Sequence, residues 1–223
     1  DELAHFRQEK AWELAQHAWR VVTVRNFHPE SGELDYLRGR ILETLHRPEE
    51  ALDAYLQAAW AQDARSRAMT RAAMVELRLS RWHDALAHAE EALRQHAHNE
   101  TAMLAKIVAL RHLGSPQAET ALAAAEAFDS LHVTLRALKY GAAPALYATL
   151  QSDPCQSALD MAQDLTDFGE AALAAEILGG LPQPCAMTAY VRGFLTGNTA
   201  VWMQATKLPI GIAYPLRPLE YQA

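Results

Sequence analysis

Small and apolar residues recur in this chain at a separation of 34 positions, and no other feature restricts its possible folds as much. Ala51, Leu52 and Ala58 return as Ala85, Leu86 and Ala92, and Leu45 returns as Leu79. A unit of that length holds two short helices, and one such hairpin cannot bury its apolar faces alone. Successive hairpins must stack to share a core. The period therefore predicts an all-α chain, a solenoid of antiparallel helix pairs. It says much about shape and little about chemistry.

The first complete pair is predicted over 33–46 and 49–61. Leu34, Leu37, Ile41, Leu42 and Leu45 fall at helical spacing, and Pro48 opens the second helix, where a missing N–H costs nothing. Gly39 sits mid-helix at a cost of about 1 kcal/mol against alanine. A packing reason is expected: close approach of the partner helix, with Ala51, Tyr55 and Ala58 as the facing surface. The second pair, 67–80 and 83–95, puts Ala73 in the place of Gly39 and Trp82 in that of Pro48. Ala85, Ala89 and Ala92 replace Ala51, Tyr55 and Ala58. A third pair covers 100–113 and 116–128, turning at Leu113-Gly114-Ser115-Pro116.

Upstream, 5–24 reads as one helix with Phe6, Trp12, Trp19 and Val22 on its apolar stripe. Trp12 and Trp19 share a face and are expected to pack against an upstream domain. Regularity fades over 130–151, where 131–139 and 144–150 fit short helices broken at Gly141 and Pro144. It returns at 155–166 and 169–179. A further helix over 184–196 carries Tyr190-Val191-Arg192-Gly193, close enough to Tyr36-Leu37-Arg38-Gly39 to predict the same packing role. Residues 199–206 fit a short helix, and Pro209, Pro215 and Pro218 make 207–219 extended or turning. The whole reads as one helical repeat domain over 1–223, with an irregular junction at 130–151 and a non-repeat or truncated segment at 199–223. The opening at Asp1 and the ending Tyr221-Gln222-Ala223 suggest a segment of a longer protein.

Charge and motifs then exclude whole classes of chemistry. A net charge of −7, from 20 basic and 27 acidic residues, provides no basic stripe for a phosphate backbone, so no nucleic-acid partner is expected. No apolar run approaches the length of a membrane span, and the expected compartment is the cytoplasm. The histidines His83, His88, His96 and His98 lack the spacing of a zinc site, and there is no glycine-rich phosphate loop. Asp160, Asp164 and Asp167 read either as a solvated face or as an acid/base pair with a neighbour. Cys155 and Cys185 are expected as free thiols, with a disulfide the alternative. Cys155, near a helix start that lowers a thiolate pKa, is the better nucleophile candidate of the two. The balance predicts no metal, no cofactor and no catalysis by this segment.

Gly39, Ala51, Tyr55 and Ala58 together resemble the signature of the tetratricopeptide repeat, strongly over 33–96 and more loosely over 98–128 and 153–196. The resemblance implies a right-handed superhelix that binds protein on a concave face built from the first helix of each pair. Matching positions are Tyr36, Arg40, Glu43 and Thr44, then Thr70, Met74, Leu77 and Arg78, then Leu104, Val108, Arg111 and His112. The family's carboxylate clamp needs Lys and Asn where this chain has Tyr36 and Arg40, then Thr70 and Met74, so that ligand is not expected. Arg40, Arg78 and Arg111 recur about once per repeat, either as donors to carboxylates or a glycan, or else solvated or paired with neighbouring Glu43 and Glu76.

A narrower likeness rests on Pro48-Glu49-Glu50-Ala51-Leu52, Ala58-Ala59-Trp60 and Tyr214-Pro215-Leu216-Arg217. These resemble the C-terminal repeat region of large bacterial proteins of the DUF5107 family. The expected function is a noncatalytic interaction or assembly module, its partner a protein surface, an upstream domain or a second copy. The alternative is an accessory domain supporting an upstream carbohydrate-active domain, with Trp202 and Tyr214 as aromatic contacts for sugar.

Overall fold

A computed structural model describes residues 8–25, 31–150, 153–209 and 219. Every regular element among them is helical. In chain order these are α1 (Gln8–Arg25), α2 (Glu33–Thr44), α3 (Pro48–Ala58), α4 (Arg65–Arg78), α5 (Trp82–Gln95), α6 (Glu100–His112), α7 (Gln117–Phe128), α8 (Val133–Tyr140), α9 (Pro144–Tyr147), α10 (Pro154–Asp167), α11 (Ala171–Gly179), α12 (Ala186–Thr196) and α13 (Thr199–Ala205). Pro48, Pro144 and Pro154 open their helices from the first turn. Asn99, Asp153 and Asn198 cap α6, α10 and α13 by accepting a backbone N–H at 3.0–3.1 Å. The chain forms two compact units, Asp1–Ala121 and Leu122–Ala223.

In the first unit each helix packs on the next, from α1 through α6, and α4 also touches α6. Three of its turns share one geometry at the sequence period. His46, Ser80 and Gly114 each adopt a left-handed backbone, with φ of 55°, 59° and 63°. At each, the following N–H bonds back to a carbonyl five residues earlier: Arg47 to Leu42 at 2.9 Å, Arg81 to Glu76 at 2.8 Å and Ser115 to Leu110 at 2.9 Å. This is the Schellman closure, which satisfies carbonyls that a helix end otherwise leaves open. Only Gly114 enters that conformation without strain.

Small side chains line the joints between helices. Ala51, Ala58, Ala85, Ala89 and Ala92 are all buried. Gly39 meets the ring of Tyr55, with a would-be Cβ only 2.5 Å from Cε1. The glycine therefore admits an aromatic ring into the joint rather than drawing two backbones together. At the corresponding positions of the next pair stand Ala73 and Ala89, both fully buried.

Trp12 and Trp19 do not look upstream. Trp12 packs on the core formed by Leu42, Leu52 and Tyr55 and lies under the Arg47 guanidinium at 5.1 Å. Trp19 lies under Arg38, also at 5.1 Å, and donates its indole N–H to Asp35 at 3.2 Å. Both rings serve the contact between α1 and the pair that follows.

In the second unit α10, α11, α12 and α13 pack in succession, and α8 and α12 both touch α10. Its core holds Leu146, Leu159, Met161, Leu165 and Ile177. The predicted likeness of Tyr190-Val191-Arg192-Gly193 to the earlier tetrapeptide has a structural counterpart, because Gly193 receives the ring of Trp202 as Gly39 receives Tyr55. Gln163 reaches the C-terminal region, accepting the Leu219 N–H at 2.8 Å.

Candidate functional site

α2 and α4 begin consecutive 34-residue units, and their side chains meet one period apart. Arg67 pairs with Glu33 and spreads over the ring of Tyr36 at 4.7 Å. Further along, Glu43 accepts from both Arg78 and the hydroxyl of Tyr55, and Arg71 stands 3.9 Å away. Burial first, and the Glu43 carboxylate second, raise the Tyr55 pKa, so the phenol keeps its proton and donates it. Two guanidiniums and a phenol converge on one carboxylate whose side chain is 13 % exposed. Such a network fixes register between α2, α3 and α4 more than it adds stability.

The sequence offers Arg78 to a ligand, to solvent or to Glu43 and Glu76. It pairs with Glu43, on the preceding first helix. Glu76 is buried at 2 % exposure and takes Nδ1 of His88 on α5 at 2.7 Å. Arg111 stands 3.7 Å from Glu119. Arg40 is half-buried, near enough to Tyr55 for its charge to act on the phenol.

The remaining candidates divide by burial. Met74, Leu77, Leu104 and Val108 lie in the core, so their side chains are committed to helix packing. Thr44 is exposed, with its hydroxyl bonded to the Ile41 carbonyl at 2.7 Å. Thr70 is buried in a small polar cluster: it donates to Ser66 O at 2.8 Å and accepts from Asn99 Nδ2 at 2.8 Å. His112 stacks on Trp82 with ring centres 4.0 Å apart. The outward surface of α2, α4 and α6 is thus largely polar: Tyr36, Arg40, Thr44, Arg67, Arg78 and Arg111 over an apolar floor.

Trp202, expected to be an exposed aromatic, is committed to packing. Its indole N–H donates to Tyr190 O at 3.0 Å and its ring covers Gly193. Tyr214 lies outside the described residues. Trp60, just past α3, is instead 81 % exposed. Trp12, Trp19 and Trp202 lie inside helices and Trp82 opens one, whereas Trp60 lies beyond the end of α3.

Each of the carboxylates offered as a catalytic candidate accepts from a neutral side chain. Asp164 accepts from the buried Thr134 hydroxyl at 2.7 Å, Asp167 from Gln163 at 3.0 Å and Asp160 from Gln156 at 3.4 Å. Cys155 does not behave as a helix-start thiolate. Burial, and then the neighbouring Cys185 thiol, push its pKa up to about 12. Among the described residues no three His, Cys, Asp or Glu side chains gather to hold a metal, and no helix is long and apolar enough to cross a membrane. Comparison with protein-family models and with curated proteins finds no match to this chain.

Proposed function

We propose that this chain is a noncatalytic interaction or assembly module of the tetratricopeptide kind, a right-handed superhelix of helix pairs whose partner is a protein surface. One observation carries the reading: side chains at or next to the period meet across α2 and α4, Glu33 with Arg67 34 positions on and Glu43 with Arg78 35 positions on. Stacked first helices bring equivalent positions side by side, and the left-handed turns at His46, Ser80 and Gly114 are what a repeated hairpin requires. The partner engages the polar rim, Tyr36, Arg40, Thr44 and Arg111. Met74, Leu104 and Val108 support that rim from beneath.

The carbohydrate alternative has less behind it, because the indole N–H and the ring of Trp202 are both used internally. The test is affinity capture with the 223-residue chain against a variant carrying Arg40→Glu, Thr44→Glu and Arg111→Glu. A protein retained by the parent chain and lost from a variant with unchanged circular dichroism supports the proposal. Identical retention by both chains, or no protein retained by either, refutes this assignment of the surface.

A further inference from the structure

The second unit brings together two thiols for which the proposed binding role has no use. Cys155 is the second residue of α10 and Cys185 is the N-cap of α12. Although 30 residues separate them, Cys155 Sγ lies 3.8 Å from the carbonyl oxygen of Gln183, two residues before Cys185. The chain just before Cys185 thus closes on the Cys155 sulfur, while Cys185 Sγ itself lies 3.8 Å from Thr188 Oγ1, and both cysteines are free thiols. Their access differs: Cys155 is half-buried and Cys185 buried.

The Cys185 end is firmly held. Thr188 Oγ1 accepts the Cys185 N–H at 3.1 Å and donates to the Cys185 carbonyl at 2.8 Å. The next N–H, of Ala186, donates to Pro209 O at 3.0 Å. On the other side Asp153 caps α10 through Gln156 N at 3.0 Å. Two anchored backbones thus bring one more accessible sulfur and one sheltered sulfur into the same neighbourhood. A lone surface cysteine lacks this arrangement, because it has nothing to resolve it.

We propose that Cys155 and Cys185 form a peroxide-oxidisable pair, in which Cys155 meets the oxidant and Cys185 closes an intramolecular disulfide between the starts of α10 and α12. The balance is simple. Cys155 sulfur attacks one peroxide oxygen, the O–O bond breaks, and water leaves behind a sulfenic acid. Cys185 sulfur then attacks Cys155 Sγ, the S–S bond forms, the S–O bond breaks, and the thiol proton departs with the hydroxyl as a second water. Two thiols and one peroxide give one disulfide and two waters. Burial, the Cys185 thiol and the Asp153 carboxylate all disfavour the Cys155 thiolate. The device is therefore slow at neutral pH, filling under sustained oxidant rather than in a burst.

The test treats the folded 223-residue chain with hydrogen peroxide, then alkylates under denaturing conditions and measures intact and peptide masses. The expected product is a monomer lighter by two hydrogens, unalkylated and reversed by dithiothreitol, with the Cys155 and Cys185 peptides linked. Its thermal midpoint rises by several degrees, since the closed loop restricts the unfolded chain. In Cys185→Ser, dimedone captures a sulfenic acid at Cys155, whereas Cys155→Ser leaves Cys185 unoxidised. Two alkylated cysteines after prolonged exposure, crosslinks only between chains, or equal overoxidation of Cys155 in the parent and Cys185→Ser would each overturn the proposal.

Discussion

Replacing Gly39 with alanine should destabilise the chain, and the same replacement should stabilise it once Tyr55 is gone. A methyl group at Gly39 would stand 2.5, 2.7 and 2.9 Å from Cε1, Cδ1 and Cζ of Tyr55. The ring cannot yield easily, because it is fully buried and its hydroxyl is tied to Glu43. Overpacking a core costs about 1–3 kcal/mol, and contact with three atoms of one rigid ring places this case near 3 kcal/mol. Alanine returns about 1 kcal/mol of helix propensity. The net loss is then about 2 kcal/mol. In a Tyr55→Ala background, itself costing about 3–5 kcal/mol, the clash vanishes and Gly39→Ala should gain about 1 kcal/mol. Urea melts of the four proteins, followed by far-ultraviolet circular dichroism, give the coupling directly. A coupling near 3 kcal/mol is expected; one below about 0.5 kcal/mol would refute the argument that the glycine exists to admit the ring.

The left-handed turns give a second test. In urea melts Ser80→Gly and His46→Gly should each stabilise the chain by about 0.5–1 kcal/mol once glycine's greater unfolded freedom is subtracted, and Gly114→Ala should destabilise it by about 1 kcal/mol. Ala51 is fully buried, so Ala51→Leu should cost about 1–3 kcal/mol in the same melts. The hydrogen bond to Glu76 raises the His88 pKa above 6.5, so the folded state holds its proton more tightly than the unfolded one. That stability is fully present below about pH 6.5 and is lost as pH climbs through the raised folded value. Melts from pH 6 to 9 should show the decline, and His88→Ala should flatten it while costing about 2 kcal/mol for the donor withdrawn from a buried carboxylate.

Helix positions were largely legible from residue patterns, and the reason is local. Pro48, the alanine run from Ala85 to Ala92 and the Leu113-Gly114 turn each act within one helix or its end. Contacts across the period were harder to foresee. Arg78 has Glu76 two residues away, and a local pairing looked reasonable. Residues two apart on a helix point in different directions, however, so Glu76 turns inward to His88 and Arg78 outward to Glu43. A search for opposite charges 34 or 35 positions apart would have found both Glu33–Arg67 and Glu43–Arg78. The exposure of Trp60 and the burial of Trp202 depend on which neighbour arrives, and no count of tryptophans carries that information.

The fading of the period after the second pair follows from how the joints are filled. Gly39 with Tyr55, and Ala73 with Ala89, place different residues at corresponding positions, trading a large ring against no side chain for two methyl groups. A ring against no side chain and a pair of methyl groups are two ways to fill a buried position, so the pattern of letters changes from one pair to the next. In the second unit Gly193 takes Trp202, which lies nine positions on, where Tyr55 lies sixteen beyond Gly39. The shorter interval reflects α13 following α12 after only Gly197 and Asn198. What stays constant is the division of labour inside the tetrapeptide. Arg38 turns back to Trp19 on α1 and Arg192 back to Gly179 on α11, while Gly39 and Gly193 receive an aromatic from the helix that follows. The arginine thus meets the preceding helix and the glycine the following one, and substituting the arginine should disturb the preceding neighbour while substituting the glycine disturbs the next.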